Sequence, residues 1–120
     1  MASEFTWLVR VYYEDTDAGG VVYYANYLRF MERARTEWLR AMGYEQDQLR
    51  DRAGIVFAVR RVEIDYLRPA RFNQTLDVSV VLGETGRASL TLQQEVRGPH
   101  TKPCCRGLVK LACVDIQRFR

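Results

Sequence analysis

Residues 25–42 read ANYLRFMERARTEWLRAM. Tyr27, Phe30, Met31, Ala34, Trp38, Ala41 and Met42 recur at helical spacing. Arg29, Glu32, Arg33, Glu37 and Arg40 take much of the remaining surface. Gly43 follows where a glycine in left-handed conformation would end the helix. A helix of this length spans ~27 Å. Its apolar stripe is wide, so it must lie against a large partner surface.

The flanking segments supply that surface. Thr6 to Glu14 (TWLVRVYYE) is rich in β-branched and aromatic residues and predicts a strand. Residues 15–22 (DTDAGGVV) carry turn chemistry, with two aspartates and two glycines. After the helix, residues 46–53 predict a short polar helix. Ile55 to Leu67 alternates, with Val62, Ile64 and Tyr66 on one side and Arg61, Glu63 and Asp65 on the other, until Pro69 breaks the run. Thr75 to Leu82, Arg87 to Val96 and Cys104 to Ile116 predict three more strands, separated by the turn GETG (83–86) and by Gly98-Pro99. One long helix beside five strands, taken in sequence as a meander, is an α+β fold with an antiparallel sheet. The simplest packing curves the sheet around the helix. Such a sheet keeps a bare back face and open edges, which oligomerisation covers.

Length and charge agree with one domain over residues 1–120. A compact monomer of 14.0 kDa exposes ~6,700 Å². Hydrophobic residues make up 48% and charged residues 28%, which is globular usage. No apolar run reaches the ~20 residues of a membrane span. The start, MASEFTWLVRVYYED, does not read as a signal peptide, so the expected location is cytoplasmic. A net charge of +3 is too dispersed for a nucleic-acid surface and suits a small anionic ligand. Three cysteines without CxxC spacing predict reduced thiols rather than a zinc site, with Cys113 buried in a strand. The single histidine, His100, sits in a turn-like stretch, which leaves little room for two-histidine chemistry.

The stretch YEDTDAGGVVYYANYLRFMERAR (13–35) joins a strand end to a buried helix through acids and glycines. The glycines allow backbone N–H groups to approach a ligand closely. The helix start offers free N–H groups and a positive dipole end. A carboxylate beside such donors can act as a base or nucleophile facing an oxyanion site. From the residues alone, Asp15 or Asp17 could equally serve as a cap that shapes the turn.

Asp15, Asp17, Gly20, Val22, Tyr24 and Tyr27 follow the pattern D-x-D-x-x-G-x-V-x-[YH]-x-x-Y ahead of the helix. With FMERARTEWL and IDYLRPARF, the chain resembles the hotdog-fold acyl-CoA thioesterases of the 4-hydroxybenzoyl-CoA thioesterase family. Among these it is most similar to the bacterial thioesterases associated with the Tol-Pal envelope system. The resemblance runs through nearly the whole chain. It implies a five-stranded antiparallel sheet wrapped around one long central helix, and hydrolysis of an aliphatic or aromatic acyl-CoA to free acid and CoA.

Asp17 matches the family's catalytic carboxylate, as nucleophile or as general base for water. Backbone N–H groups from Val22, Tyr23, Tyr24 and Ala25 would form the oxyanion hole. Tyr23, Tyr24 and Phe57 would line the acyl pocket. Arg87, Arg61 and Arg68 are the candidates for the CoA phosphates. No metal or other cofactor is implied. The implied partners are acyl-CoA, with acyl carrier protein as a second candidate donor, and further copies of the chain in a dimer or a homotetramer. Many relatives carry histidine at the position of Tyr24. A tyrosine can donate a hydrogen bond there but titrates near pH ~10, so it would not shuttle protons at neutrality. The alternative function is a non-catalytic acyl-carrier or envelope-associated interaction protein on the same fold. A hotdog dehydratase or isomerase lacks its histidine here, and a nucleic-acid binder lacks a basic run.

Overall fold

The computed structural model describes residues 3–120. In chain order it contains β1 (Glu4–Arg10), a 3-10 turn (Tyr13–Asp15), α1 (Asn26–Ala41) and a short α2 (Gln46–Gln48) running into a π turn (Leu49–Ala53). Then follow β2 (Ile55–Tyr66), β3 (Thr75–Thr85), β4 (Ser89–Arg97), a second 3-10 turn (Pro99–Thr101) and β5 (Pro103–Asp115). The strands form one antiparallel sheet in the order β1-β3-β4-β5-β2.

That order departs from a sequential meander. β2 pairs with β5 at the far edge, and the β2–β3 connection crosses the end of the sheet to return beside β1. Pro69 cannot donate to a ladder, so residues 67–74 run as a crossing segment instead. Their polar groups are satisfied on the way. The Leu67 and Arg68 N–H groups donate to the Cys104 carbonyl at 2.8 and 3.0 Å, and the buried Ala70 N–H donates to the Tyr27 hydroxyl at 2.9 Å. The same crossing closes over the start of α1.

α1 packs on one face of the sheet. Tyr27, Phe30, Met31 and Ala34 are buried, joining Leu76, Val78 and Val80 of β3, Leu92 and Val96 of β4, and Val109 and Leu111 of β5. Met42 and Ala41 lie outside the core, and Gly43 takes φ +94° at the helix end. One charged residue sits unexpectedly on the buried face. Arg35 donates from Nη1 to Gln94 Oε1 at 3.0 Å, and Gln94 Nε2 donates to the Met31 carbonyl at 3.0 Å. Burial lowers the pKa of this guanidinium.

Two expectations about local structure are corrected. β1 stops at Arg10 rather than Glu14, because the Asp15 carboxylate accepts the Tyr12 N–H at 2.8 Å and turns the chain. Cys113 is only half-buried, while Cys104 and Cys105 are buried. Burial pushes the Cys105 thiol up to about 12 and raises Cys104 as well, so neither offers a thiolate near neutral pH.

The chain exposes 7962 Å², against the ~6,700 Å² of a compact protein of its mass. Its radius of gyration is 15.1 Å, against ~13.6 Å for a globule of this length. Val59 and Val62 of the edge strand β2 are among the apolar residues left exposed, at 51% and 39%.

Candidate active site

The segment between the first 3-10 turn and α1 is a tight hairpin. Thr16 bridges Val22, the Asp17 N–H donates to the Val21 carbonyl at 2.9 Å, and the Gly20 N–H donates to the Asp17 carbonyl at 3.0 Å. Gly20 has φ +79°, a conformation that L residues rarely adopt. The hairpin carries Asp17 on the segment that leads into α1.

The two aspartates take different environments. Asp15 is 5% exposed and wholly engaged in structure. Its carboxylate holds the Tyr12 N–H, and its carbonyl accepts the Tyr23 N–H and the Asn26 side-chain amide, both at 2.9 Å. Asp17 is exposed, and its Oδ1 accepts the Gly19 N–H at 2.8 Å. Its Oδ2 has no hydrogen bond among the described residues, which leaves one carboxylate oxygen for solvent or substrate.

Donors at the helix start divide in the same way. The Val22 N–H is bonded to the Ala70 carbonyl at 2.8 Å, and the Tyr23 N–H to Asp15. α1 begins on Ala25, which supplies no side-chain cap. Among the described residues the Tyr24 and Ala25 N–H groups have no backbone acceptor. Two neighbouring donors therefore stand open at the positive end of a helix, on the segment that also carries the accessible Asp17 carboxylate.

A cavity of about 300 Å³ adjoins this turn, lined by Val22, Tyr24, Tyr27, Tyr66, Arg68 and the Leu67-Pro69 crossing. Its walls are aromatic. The Tyr24 ring lies edge-on to Tyr66 with centroids 6.0 Å apart, and Tyr27 lies 5.8 Å from Tyr66. Burial pushes Tyr27 up to about 12 and raises Tyr66, while Tyr23 is raised by its hydrogen bond with Tyr24, so these hydroxyls stay protonated at neutral pH. A larger groove of about 600 Å³ lies on the opposite, outer face of the sheet. Glu4, Arg97, Glu95 and Arg106 form a run of ion pairs along it, and none of its lining residues belongs to the turn before α1.

The remaining candidates do not converge on Asp17 within one chain. Arg68 lines the tyrosine cavity. Arg61 lies on the outer face, paired with Glu63 at 2.5 Å beside Lys110. Arg87 sits in the β3–β4 hairpin, at the far end of β3 from the Asp17 turn, about 35 Å away along that strand. Phe57 is near the start of β2, about 30 Å from Tyr66 along the same strand. Sequence reasoning does not single out Tyr66, at the end of β2, which lines the cavity, or Ala70 of the crossing, whose backbone braces Val22 and Tyr27. The only signal for them was the stretch IDYLRPARF (64–72) itself.

Among the described residues no group of three His, Cys, Asp or Glu side chains is placed to hold a metal ion, and no helix is long and apolar enough to cross a membrane.

A five-stranded antiparallel sheet with a long helix on one face is the fold of solved thioesterases, and the relatives of this chain make it a thioester hydrolase. The chain belongs to the thioesterase-like superfamily, whose model matches residues 11–120. It is 41% identical over 116 residues to the acyl-CoA thioesterase YbgC of Haemophilus influenzae, covering 97% of this chain and 85% of that one. It is 40% identical over 111 residues to the acyl-CoA thioester hydrolase YbgC of Escherichia coli O6:H1, covering 92% and 82%. A probable thioesterase from Bartonella henselae shares the fold with a TM-score of 0.91 and 29% identity, covering 98% of this chain and 96% of that one.

Proposed function

We propose that the chain hydrolyses acyl-CoA thioesters, with Asp17 as the catalytic carboxylate and the Tyr24 and Ala25 N–H groups as the oxyanion donors. The observation that carries this reading is that one short segment, residues 17–25, holds both a free Asp17 oxygen and two unspent amides. The thioester carbonyl oxygen sits on the amides, which strengthens as negative charge develops on it. Asp17 then either adds to the carbonyl carbon or takes a proton from the water that adds. In both routes the C–S bond breaks, and the sulfur leaves with its electron pair and takes up a proton. With water as the nucleophile the free acid forms at once; with Asp17 as the nucleophile an acyl-Asp17 anhydride forms, and a second step adds water to it, releasing the acid and restoring the carboxylate. Val22 and Tyr23 contribute side chains and shape, since their own N–H groups are already bonded.

The reading takes the domain as one hotdog unit, residues 1–120, with its sheet wrapped around α1. The acyl group enters the tyrosine cavity, which suits a short chain or a single ring. Arg68, at the cavity rim, meets a CoA phosphate from the same chain. Acyl carrier protein is the second candidate donor, presenting the same thioester.

Two copies complete the site. β2 is an edge strand of 12 residues with apolar side chains exposed on its helix side. Antiparallel pairing of two β2 edges carries the partner's Phe57 toward the Tyr66 end of the first copy. Arg61 and Arg87 likewise bear on the cavity only from another copy, and pairs of dimers through the outer face would give the tetramer. Replacing Val59 and Val62 together with lysine places charge on that edge. Light scattering should then give the 14.0 kDa monomer and thiol release should fall at least ~10-fold. A variant that keeps the wild-type mass and rate refutes β2 as the pairing edge.

The proposal is tested by thiol release from short-chain, long-chain and aromatic acyl-CoAs. Turnover of at least one class supports it. Tight acyl-CoA binding with no turnover of any would instead support the acyl-carrier alternative.

A further inference from the structure

We propose that Tyr66 is a positioning residue for the oxyanion-binding turn: its hydroxyl, donated to the Tyr24 carbonyl at 3.1 Å, holds the Tyr24–Ala25 peptide so that the Ala25 N–H faces the reacting carbonyl. The inference rests on the reading of that turn given above and extends it to a residue on another element.

The geometry is specific. In a trans peptide, the carbonyl and the N–H of one unit point in opposite directions. Fixing the Tyr24 carbonyl therefore fixes the Ala25 N–H. In a regular helix the Tyr24 carbonyl would accept the Leu28 N–H. Here Leu28 donates to the Ala25 carbonyl instead, at 3.2 Å. Among the described residues, the Tyr66 hydroxyl is thus the one donor to the Tyr24 carbonyl. Without it, Leu28 can recapture that carbonyl, wind the helix back by one residue and turn the Ala25 N–H into the helix axis. A hydrogen bond at the carbonyl also polarises the peptide and makes its N–H a stronger donor, by ~10–30%.

Tyr66 is well placed for this task. It ends β2 in register with Cys105, and the next two N–H groups are anchored on the Cys104 carbonyl. Its ring is braced edge-on by Tyr24 and tilted against Tyr27. Burial keeps the hydroxyl protonated.

Tyr66→Phe keeps the ring and removes the hydroxyl. With the acyl-CoA that the wild type turns over fastest, kcat should fall about tenfold, the loss of one transition-state hydrogen bond. KM should stay within about twofold, with solution mass and unfolding midpoint unchanged. Infrared difference spectra give a second readout. Carbonyl-labelled acyl-CoA bound to Asp17→Asn should show a lowered C=O stretch, and adding Tyr66→Phe should move it back up. A Tyr66→Phe enzyme with wild-type kcat, or an unmoved carbonyl frequency, overturns the inference. So does a loss of kcat that comes with raised KM and a lowered midpoint, which marks a merely structural residue. If Asp17→Asn itself turns over at the wild-type rate, the reading of the site fails, whatever Tyr66→Phe does.

Discussion

Asp17→Asn should lose about 10³-fold or more of acyl-CoA turnover while remaining folded. Proton transfer by a positioned carboxylate contributes ~10²–10⁴-fold, and a carboxylate acting as nucleophile contributes no less. The fold should not notice. Asp17 is exposed, its Oδ1 accepts only the Gly19 N–H, and the asparagine carbonyl oxygen can accept the same bond. Surface changes of this kind usually stay within ~0.5 kcal/mol. Steady-state kinetics beside a thermal melt separates the two quantities. A variant with more than a tenth of wild-type kcat would show that the carboxylate does not carry the chemistry. Asp15→Asn offers the contrast. Asp15 is buried and braces the Tyr12 turn, so its replacement should register first in the melt.

Gln94→Ala should be strongly destabilising, at about 3–4 kcal/mol, from a cavity plus a lost hydrogen bond to a charged group. Gln94 is 1% exposed and joins the Arg35 guanidinium to the Met31 carbonyl. Its removal strands a charge that burial already disfavours. For a domain of this size the melting midpoint should fall by roughly 12 °C. Replacing both partners with apolar residues, Arg35→Met with Gln94→Leu, should cost less than Gln94→Ala alone, because no buried charge is left behind. Chemical denaturation of the two variants checks the order. If the double variant is the weaker protein, the pair is a net stabiliser rather than a satisfied liability.

The helix was legible because its apolar spacing leaves few alternatives, and the observed Asn26–Ala41 lies within one residue of the range read from sequence at each end. Strand existence was legible for the same reason. Strand order was not. Periodicity says which face of β2 is apolar but not which neighbour it pairs with, and that was settled by the crossing at residues 67–74. The Asp15–Asp17 ambiguity also needed coordinates. Both residues suit a turn, and only the hydrogen bonds show that Asp15 is spent on structure and Asp17 is not. Of the four candidate N–H groups at the helix start, hydrogen bonds occupy those of Val22 and Tyr23 and leave those of Tyr24 and Ala25. Arg35 and Gln94 were hidden, because a charged residue at a helical core position reads as surface until its partner on a distant strand is seen. Phe57, Arg61 and Arg87 were grouped by chemistry, and the register of β2 and β3 shows that one chain alone cannot bring them to Asp17.

Cleavage of an acyl-CoA thioester by the Asp17 turn is checked by stoichiometric release of CoA thiol and free acid by the purified wild-type chain, run beside Asp17→Asn on one acyl-CoA panel. The wild type should show sustained multiple turnover on at least one acyl class, and the variant near-background release. Equal release by both proteins, or none by the folded wild type on any acyl-CoA, would contradict it.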